Sequence, residues 1–355
     1  MTLTDELTPS NDFRFLSIEL LKILSLVGII TSSLDLSYIN TDKILHVYWV
    51  APAFTLLITI YSFQLARHFI DQDIWSWYSP VFFKKLVLNI LPPYLLLIFF
   101  QIFSNSLILG VPIKTTLYTI LTEGAIGRNA YYLFILFQLL YVFPFYLLLA
   151  KYYPMPGFAA LIIFAVVYPL WPADKLTTLL YNNLFLRFSI QLFLGSALAF
   201  HWKTIKKSAL PIFAFLFGFF YFVLQDLDYD FHLFNRAHDL ESSLFPGLFI
   251  FSIIFFMLSR ENFFQKFSLN VKRFVVLLGD SIYHILIFQL YYFSFLRQPV
   301  NLAFINSLQN IHSHRVQFLI EFVFAVTICF SGGLITYYFH KIAFRISRFY
   351  FSIVF

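Results

Sequence analysis

Residues 14–34 read RFLSIELLKILSLVGIITSSL, a run long and apolar enough to form a helix across a bilayer. It nevertheless carries Glu19 and Lys22 one helical turn apart and ends on the polar run Thr31, Ser32 and Ser33. Ionisable groups inside such a span are costly, so they face a protein interior or a wet cavity. Two readings of Glu19 and Lys22 stand side by side. In one they neutralise each other and let the helix sit in an apolar medium. In the other Lys22 faces a cavity, where its charge attracts a phosphorylated donor or stabilises an oxyanion.

The rest of the chain has the same character. Of its 355 residues 60% are hydrophobic, 22% aromatic and only 12% charged, with a mean hydropathy of +0.79. About a quarter charged is usual for soluble domains, so the composition reads as an all-α, polytopic membrane protein. Apolar stretches fall at 14–34, 44–66, 86–110, 129–150, 157–172, 183–201, 209–225, 244–259, 274–296 and 316–339, which predicts about ten transmembrane helices. Lys and Arg concentrate in alternate connections, among them Arg67, Lys84, Lys85, Lys151, Lys203, Lys206, Lys207, Arg260 and Lys266. The positive-inside rule then puts both termini in the cytoplasm. The first twelve residues are acidic and lack the basic start of a signal peptide, so the first span is expected to remain in the mature chain. No internal repeat or soluble domain stands out: a single membrane domain covers 1–355, with short tails at about 1–13 and 341–355.

The same composition argues against several function classes. The net charge of +6 is modest and its basic residues are scattered, which disfavours nucleic acid as a partner. Fifty Phe and 22 Tyr are spread through nearly every span, as packing and lipid-facing residues are. The single cysteine, Cys329, excludes an intrachain disulfide and a multi-Cys metal site. The acidic segment 226–243 contains His232 and His238, but their irregular spacing offers no ligand pattern, and no metal is expected. Pro92 and Pro93 interrupt the third apolar stretch, where they must kink the helix or break it beside a cavity.

Taken in order, these features resemble the integral-membrane acyltransferase family 3, whose members move acetyl or other short acyl groups onto cell-surface sugars. Lys22 holds the place of the family's first-span basic residue, and Pro52 to Tyr61 resembles its second span of the type PxFFxxSGY. Lys85 with Pro92, Pro93 and Tyr94 resembles a basic segment ending in PPY. Phe134, Gln138, Tyr141 and Pro144 are similar to the fourth-span pattern, RFSIQLFLGSALAF (187–200) to an FxxG span, and LLGDSIYHILIFQ (277–289) to a late segment of Gly, Ser and a His-bearing helix. The resemblance covers about residues 13–340. The chain departs from it where Ser33 stands eleven residues after Lys22 in place of histidine, where Ile60 replaces a glycine, where Tyr131 or Tyr132 takes the place of the fourth-span histidine, and where Phe288 occupies a late histidine position.

The resemblance implies an O-acyltransferase of the bacterial inner (plasma) membrane. Its donor would be acyl-CoA, its acceptor a glycan or glycolipid, and its surroundings membrane lipid. Such chemistry needs a base to take a hydroxyl proton and a donor or positive group to hold the oxyanion. The candidate catalytic residues are Lys22, Ser33, His46 and His284. His46 begins the second stretch, at a depth expected to be similar to that of Ser33. His284 lies eleven residues from Arg273, about 16 Å along a helix and near mid-membrane. Either histidine is equally explicable as a helix-packing residue bonded to a carbonyl. Lys84 and Lys85 are the candidates for meeting the donor's phosphates. A different class of function, suggested by the missing histidine, is a non-catalytic relative that exports or helps assemble a surface polysaccharide or lipid. An unrelated transporter ranks last, because paired interrupted helices are absent from the sequence.

Overall fold

A computed structural model of the chain describes residues 15–34, 52–127, 130–167, 185–226, 244–296 and 314–354. Among these residues every regular element is helical. We number the principal helices α1 Leu16–Ser33, α2 Ala53–His68, α3 Pro80–Phe103, α4 Ile113–Glu123, α5 Tyr131–Tyr152, α6 Pro154–Val167, α7 Ser189–Phe200, α8 Leu210–Asp226, α9 Leu244–Ser259, α10 Leu269–Tyr291 and α11 His314–Val354. Two of them run on into a π turn, α3 through Ser104–Ile108 and α10 through Tyr292–Leu296.

Among the described residues five stretches are long and apolar enough to cross a membrane: Leu16–Ser33, Pro80–Ile108, Ile135–Tyr152, Leu269–Leu296 and Val316–Ala343. They correspond to the first, third, fourth, ninth and tenth apolar stretches of the sequence. The fifth to eighth stretches become shorter apolar helices, and the second is helical from Ala53. In α3 and α11 most of the apolar surface faces outward, with Leu95, Phe99, Phe103, Leu319, Val323 and Ile335 exposed. Water would not favour such faces, whereas lipid would. The segment 341–354, expected as a tail, is helical and continues α11. No glycine or proline follows Gly333 to stop it.

Internal contacts gather the chain into two compact units. One comprises Met1–Ile29, Asp42–Trp77 and Leu136–Gly279; the other comprises Ile30–Thr41, Tyr78–Ile135 and Asp280–Phe355. In the first unit, small residues let helices approach closely. A Cβ at Gly195 would run into the Thr59 carbonyl and Ser62, and the Ser62 hydroxyl bonds the Leu192 carbonyl and the Ser196 hydroxyl. The α8–α9 contact is aromatic: Tyr221 stacks on Phe245 at 4.9 Å, and Phe222 meets Phe249 edge-on at 5.1 Å.

Helix ends in this unit are closed by distant side chains. Glu261 accepts hydrogen bonds from the Leu16 and Ser17 N–H groups at 2.7 and 3.0 Å, so one carboxylate satisfies two of the orphan donors of α1. At the other polarity, Lys151 donates to the carbonyls of Phe69, Ile70 and Gln72 at 2.9–3.1 Å, just beyond the end of α2.

The second unit is organised by the short segment between α4 and α5. Gln101 grips both sides of Ile126, donating to its carbonyl at 2.8 Å and accepting from its N–H at 2.9 Å. Tyr94 donates to the Gly124 carbonyl at 2.5 Å and Ser294 to the Ile126 carbonyl at 2.7 Å. Gly127, at φ 120°, has the Ser294 hydroxyl where a Cβ would stand, so only glycine fits there.

Replacing Glu261 by Ala is expected to cost about 1–2 kcal/mol, the value of a helix N-cap. Gln265→Ala, which removes an exposed partner of the same carboxylate at 2.6 Å, should cost much less. Thermal unfolding of the detergent-purified variants measures both.

Candidate functional site

The first unit holds the charged pair that the sequence singles out. Glu19 and Lys22 are both buried, at 3% and 5% exposure, and their charged groups meet at 2.6 Å. Gln64 from α2 donates to the other Glu19 oxygen at 3.2 Å, and Lys22 donates to the Gly279 carbonyl at 3.3 Å. Gly279 is itself required, because a Cβ there would overlap the Glu19 carboxylate. The pair is thus compensated by two polar partners on other helices. Of the two readings left open by the sequence, this geometry favours mutual neutralisation over a free cation.

Ser33 and His284 belong to the second unit, each with its own partner. The Ser33 hydroxyl accepts a 2.8 Å hydrogen bond from Gln289, whose other amide atom, Oε1, is buried with no partner among the described residues. An amide can hold a hydroxyl but cannot take its proton, so Gln289 does not make Ser33 a nucleophile. His46 lies outside the described residues. Lys84 is exposed in the first turns of α3, after the Ser79 cap that accepts from the Phe82 N–H at 3.3 Å. Lys85 follows it in the same helix.

His284 on α10 has the surroundings of a chemical group. Its Nε2 lies 3.0 Å from Nδ1 of His340 on α11, and its own Nδ1 is buried with no hydrogen-bond partner among the described residues. Its ring is 6% exposed. Tyr337 stands edge-on to it with centroids 5.2 Å apart, and Tyr283 adjoins it at 6.0 Å. Lys341 lies over the Tyr337 ring at 4.6 Å, and Asp280 acts electrostatically on the same tyrosine. The two helices meet here because α11 contains two adjacent glycines. A Cβ at Gly332 would strike the Phe288 ring, and one at Gly333 would strike Ile285.

The third participant is the proline-containing helix α3. His340 hydrogen-bonds the backbone at Leu88, four residues before Pro92. Proline lacks the N–H that would otherwise occupy the Leu88 carbonyl, so the helix leaves that acceptor for an outside donor. Tyr283 adds a second tie between α10 and α3, donating to the Ile90 carbonyl at 2.9 Å. Pro92 thus removes the helical donor of the Leu88 carbonyl, in the same residue whose backbone His340 meets.

Sequence reasoning reached His284 and missed His340, which sits one residue past the predicted end of the tenth stretch. Counting four back from Pro92 identifies the freed Leu88 carbonyl, and the glycine pair marks the close helix contact. Neither signal names the side chain that arrives there. Among the described residues no group of three or more His, Cys, Asp or Glu is arranged to hold a metal ion. No family model, curated protein or solved structure matches the sequence.

If Glu19 and Lys22 form a compensated pair, breaking it from one side will cost more than removing it. Lys22→Met and Glu19→Gln should each destabilise the protein by about 3–5 kcal/mol, while the double variant recovers much of the loss. Chemical or thermal unfolding in detergent reads this cycle.

Proposed function

We propose that this chain is an integral-membrane O-acyltransferase that moves an acetyl or other short acyl group from a cytoplasmic acyl-CoA to a cell-surface glycan or glycolipid. In this reading it crosses the bacterial inner membrane about ten times with both termini in the cytoplasm. The single observation that carries the proposal is the Nδ1 of His284 beside His340, buried and without a partner among the described residues. The order of family-like motifs and the bias of Lys and Arg between alternate connections support it.

The chemistry assigned to His284 is general-base catalysis. Its Nδ1 takes the proton of the acceptor hydroxyl as the oxygen attacks the thioester carbonyl. The new C–O bond forms, the C–S bond breaks, and the departing CoA thiolate takes the proton from the imidazolium, which returns the base to its starting state. Lys84 and Lys85, as point charges, are assigned to the donor phosphates.

A second reading has a specific observation in its favour. Lys22 is occupied by Glu19 and Gly279, and Ser33 by an amide, so neither position reproduces the family's basic residue and histidine as a working pair. That arrangement suits a non-catalytic relative acting in export or assembly of a surface polysaccharide or lipid.

Acyl transfer from labelled acetyl-CoA, measured with membranes and a glycan acceptor, separates the two. The acyltransferase reading expects His284→Ala to lower the rate by at least about 100-fold. It expects the Lys84→Ala, Lys85→Ala pair to raise the KM for acyl-CoA with little change in kcat, an effect that shrinks as salt rises. Unchanged transfer by His284→Ala removes the assigned base.

A further inference from the structure

The hydrogen bonds around His284 form a directed chain. Within α3 the Leu88 N–H belongs to the helix ladder, while its carbonyl loses its usual donor to Pro92. The backbone group that His340 meets at Leu88 is therefore an acceptor, and the ring nitrogen facing it must carry hydrogen. The Nδ1 of His340 faces His284, so the nitrogen on Leu88 is Nε2. A neutral imidazole has one donor and one acceptor nitrogen. With Nε2 donating, Nδ1 of His340 accepts, which makes Nε2 of His284 the donor in their 3.0 Å contact. His284 is then left with a lone pair on Nδ1, the atom that is buried without a partner among the described residues.

We propose that His340 is a positioning residue that fixes His284 as its Nε2–H tautomer, presenting Nδ1 as a bare acceptor for the hydroxyl of a bound ligand. The direction is set at the far end of the chain by a proline, three helices being involved. Second partners fixing the tautomer of a working histidine are a general device. What is specific here is that the outermost member is a backbone carbonyl freed by Pro92. The ring edge of Tyr337 and the body of Tyr283 flank His284, and Lys341 and the exposed Asp280 act on Tyr337. Tyr337 and Tyr283 hold the imidazole plane, and Gly332 and Gly333 hold the distance between α10 and α11. Identifying the ligand hydroxyl as that of a glycan rests on the acyl-transfer reading; the tautomer does not.

The test is spectroscopic and needs no activity. Full-length protein labelled with ¹⁵N-histidine is purified in detergent, and two-bond ¹H–¹⁵N correlations are recorded at pH 8. The His284 signals are assigned by their loss in His284→Phe. The expected pattern is an unprotonated Nδ1 and a protonated Nε2 on His284. His340→Gln, whose amide both donates and accepts, should keep that pattern. His340→Phe should mix the tautomers, and so should Pro92→Ala, which returns an N–H donor to the Leu88 carbonyl. A protonated Nδ1 on His284 in the unmodified protein overturns the proposal without recourse to any variant. An unchanged pattern in both His340→Phe and Pro92→Ala also overturns it. The expected tautomer in a protein that transfers no acyl group would uphold this inference while defeating the acyltransferase reading.

Discussion

An apolar medium offers no water to satisfy a polar group, so every donor, acceptor and charge within a spanning helix must find its partner inside the protein. This constraint explains the two polar clusters better than any functional argument does. In the first unit it binds Glu19 to Lys22, adds Gln64 and the Gly279 carbonyl, and demands a glycine where the carboxylate lies. In the second it brings His340 to the carbonyl that Pro92 leaves open. Each cluster also locates a helix contact, because a group that must be paired fixes which faces can meet.

The clusters differ in what remains after pairing. Around Lys22 the charges cancel and a second ammonium N–H has a carbonyl, an arrangement suited to holding helices. Around His284 the pairing leaves Nδ1 buried with no partner among the described residues. Buried polar atoms are nearly always satisfied, so an orphan at the end of an ordered chain is where a ligand's hydrogen would fit. The stabilising role falls to the first span, and the chemical role proposed here falls to His284 on α10, one of the candidates the sequence offered beside Lys22, Ser33 and His46.

Much of the helical architecture was legible because apolar length is a strong signal. The third, ninth and tenth stretches, with few charges and many Phe, Leu and Ile, give helices where the sequence predicts them. Helix ends were less legible: nothing near Leu16 reveals that Glu261, far along the chain, closes α1, and nothing near His68 points to Lys151. The Glu19–Lys22 pair could be read from spacing alone, since i and i+3 share a helix face. His340 could not, because its importance depends on a tertiary contact with a carbonyl whose freedom comes from a third helix. The attention given to Ser33 followed the family pattern, and its partner Gln289 lies more than 250 residues away in sequence.

The proposed acyltransferase function requires that an acyl donor bind this chain. The most direct measurement is a calorimetric titration of the detergent-purified protein with acetyl-CoA and longer acyl-CoAs, using CoA-free buffer as the reference. The account predicts saturable, stoichiometric binding of at least one acyl-CoA. The absence of binding to every donor tested would contradict it and leave the non-catalytic export or assembly role as the better reading.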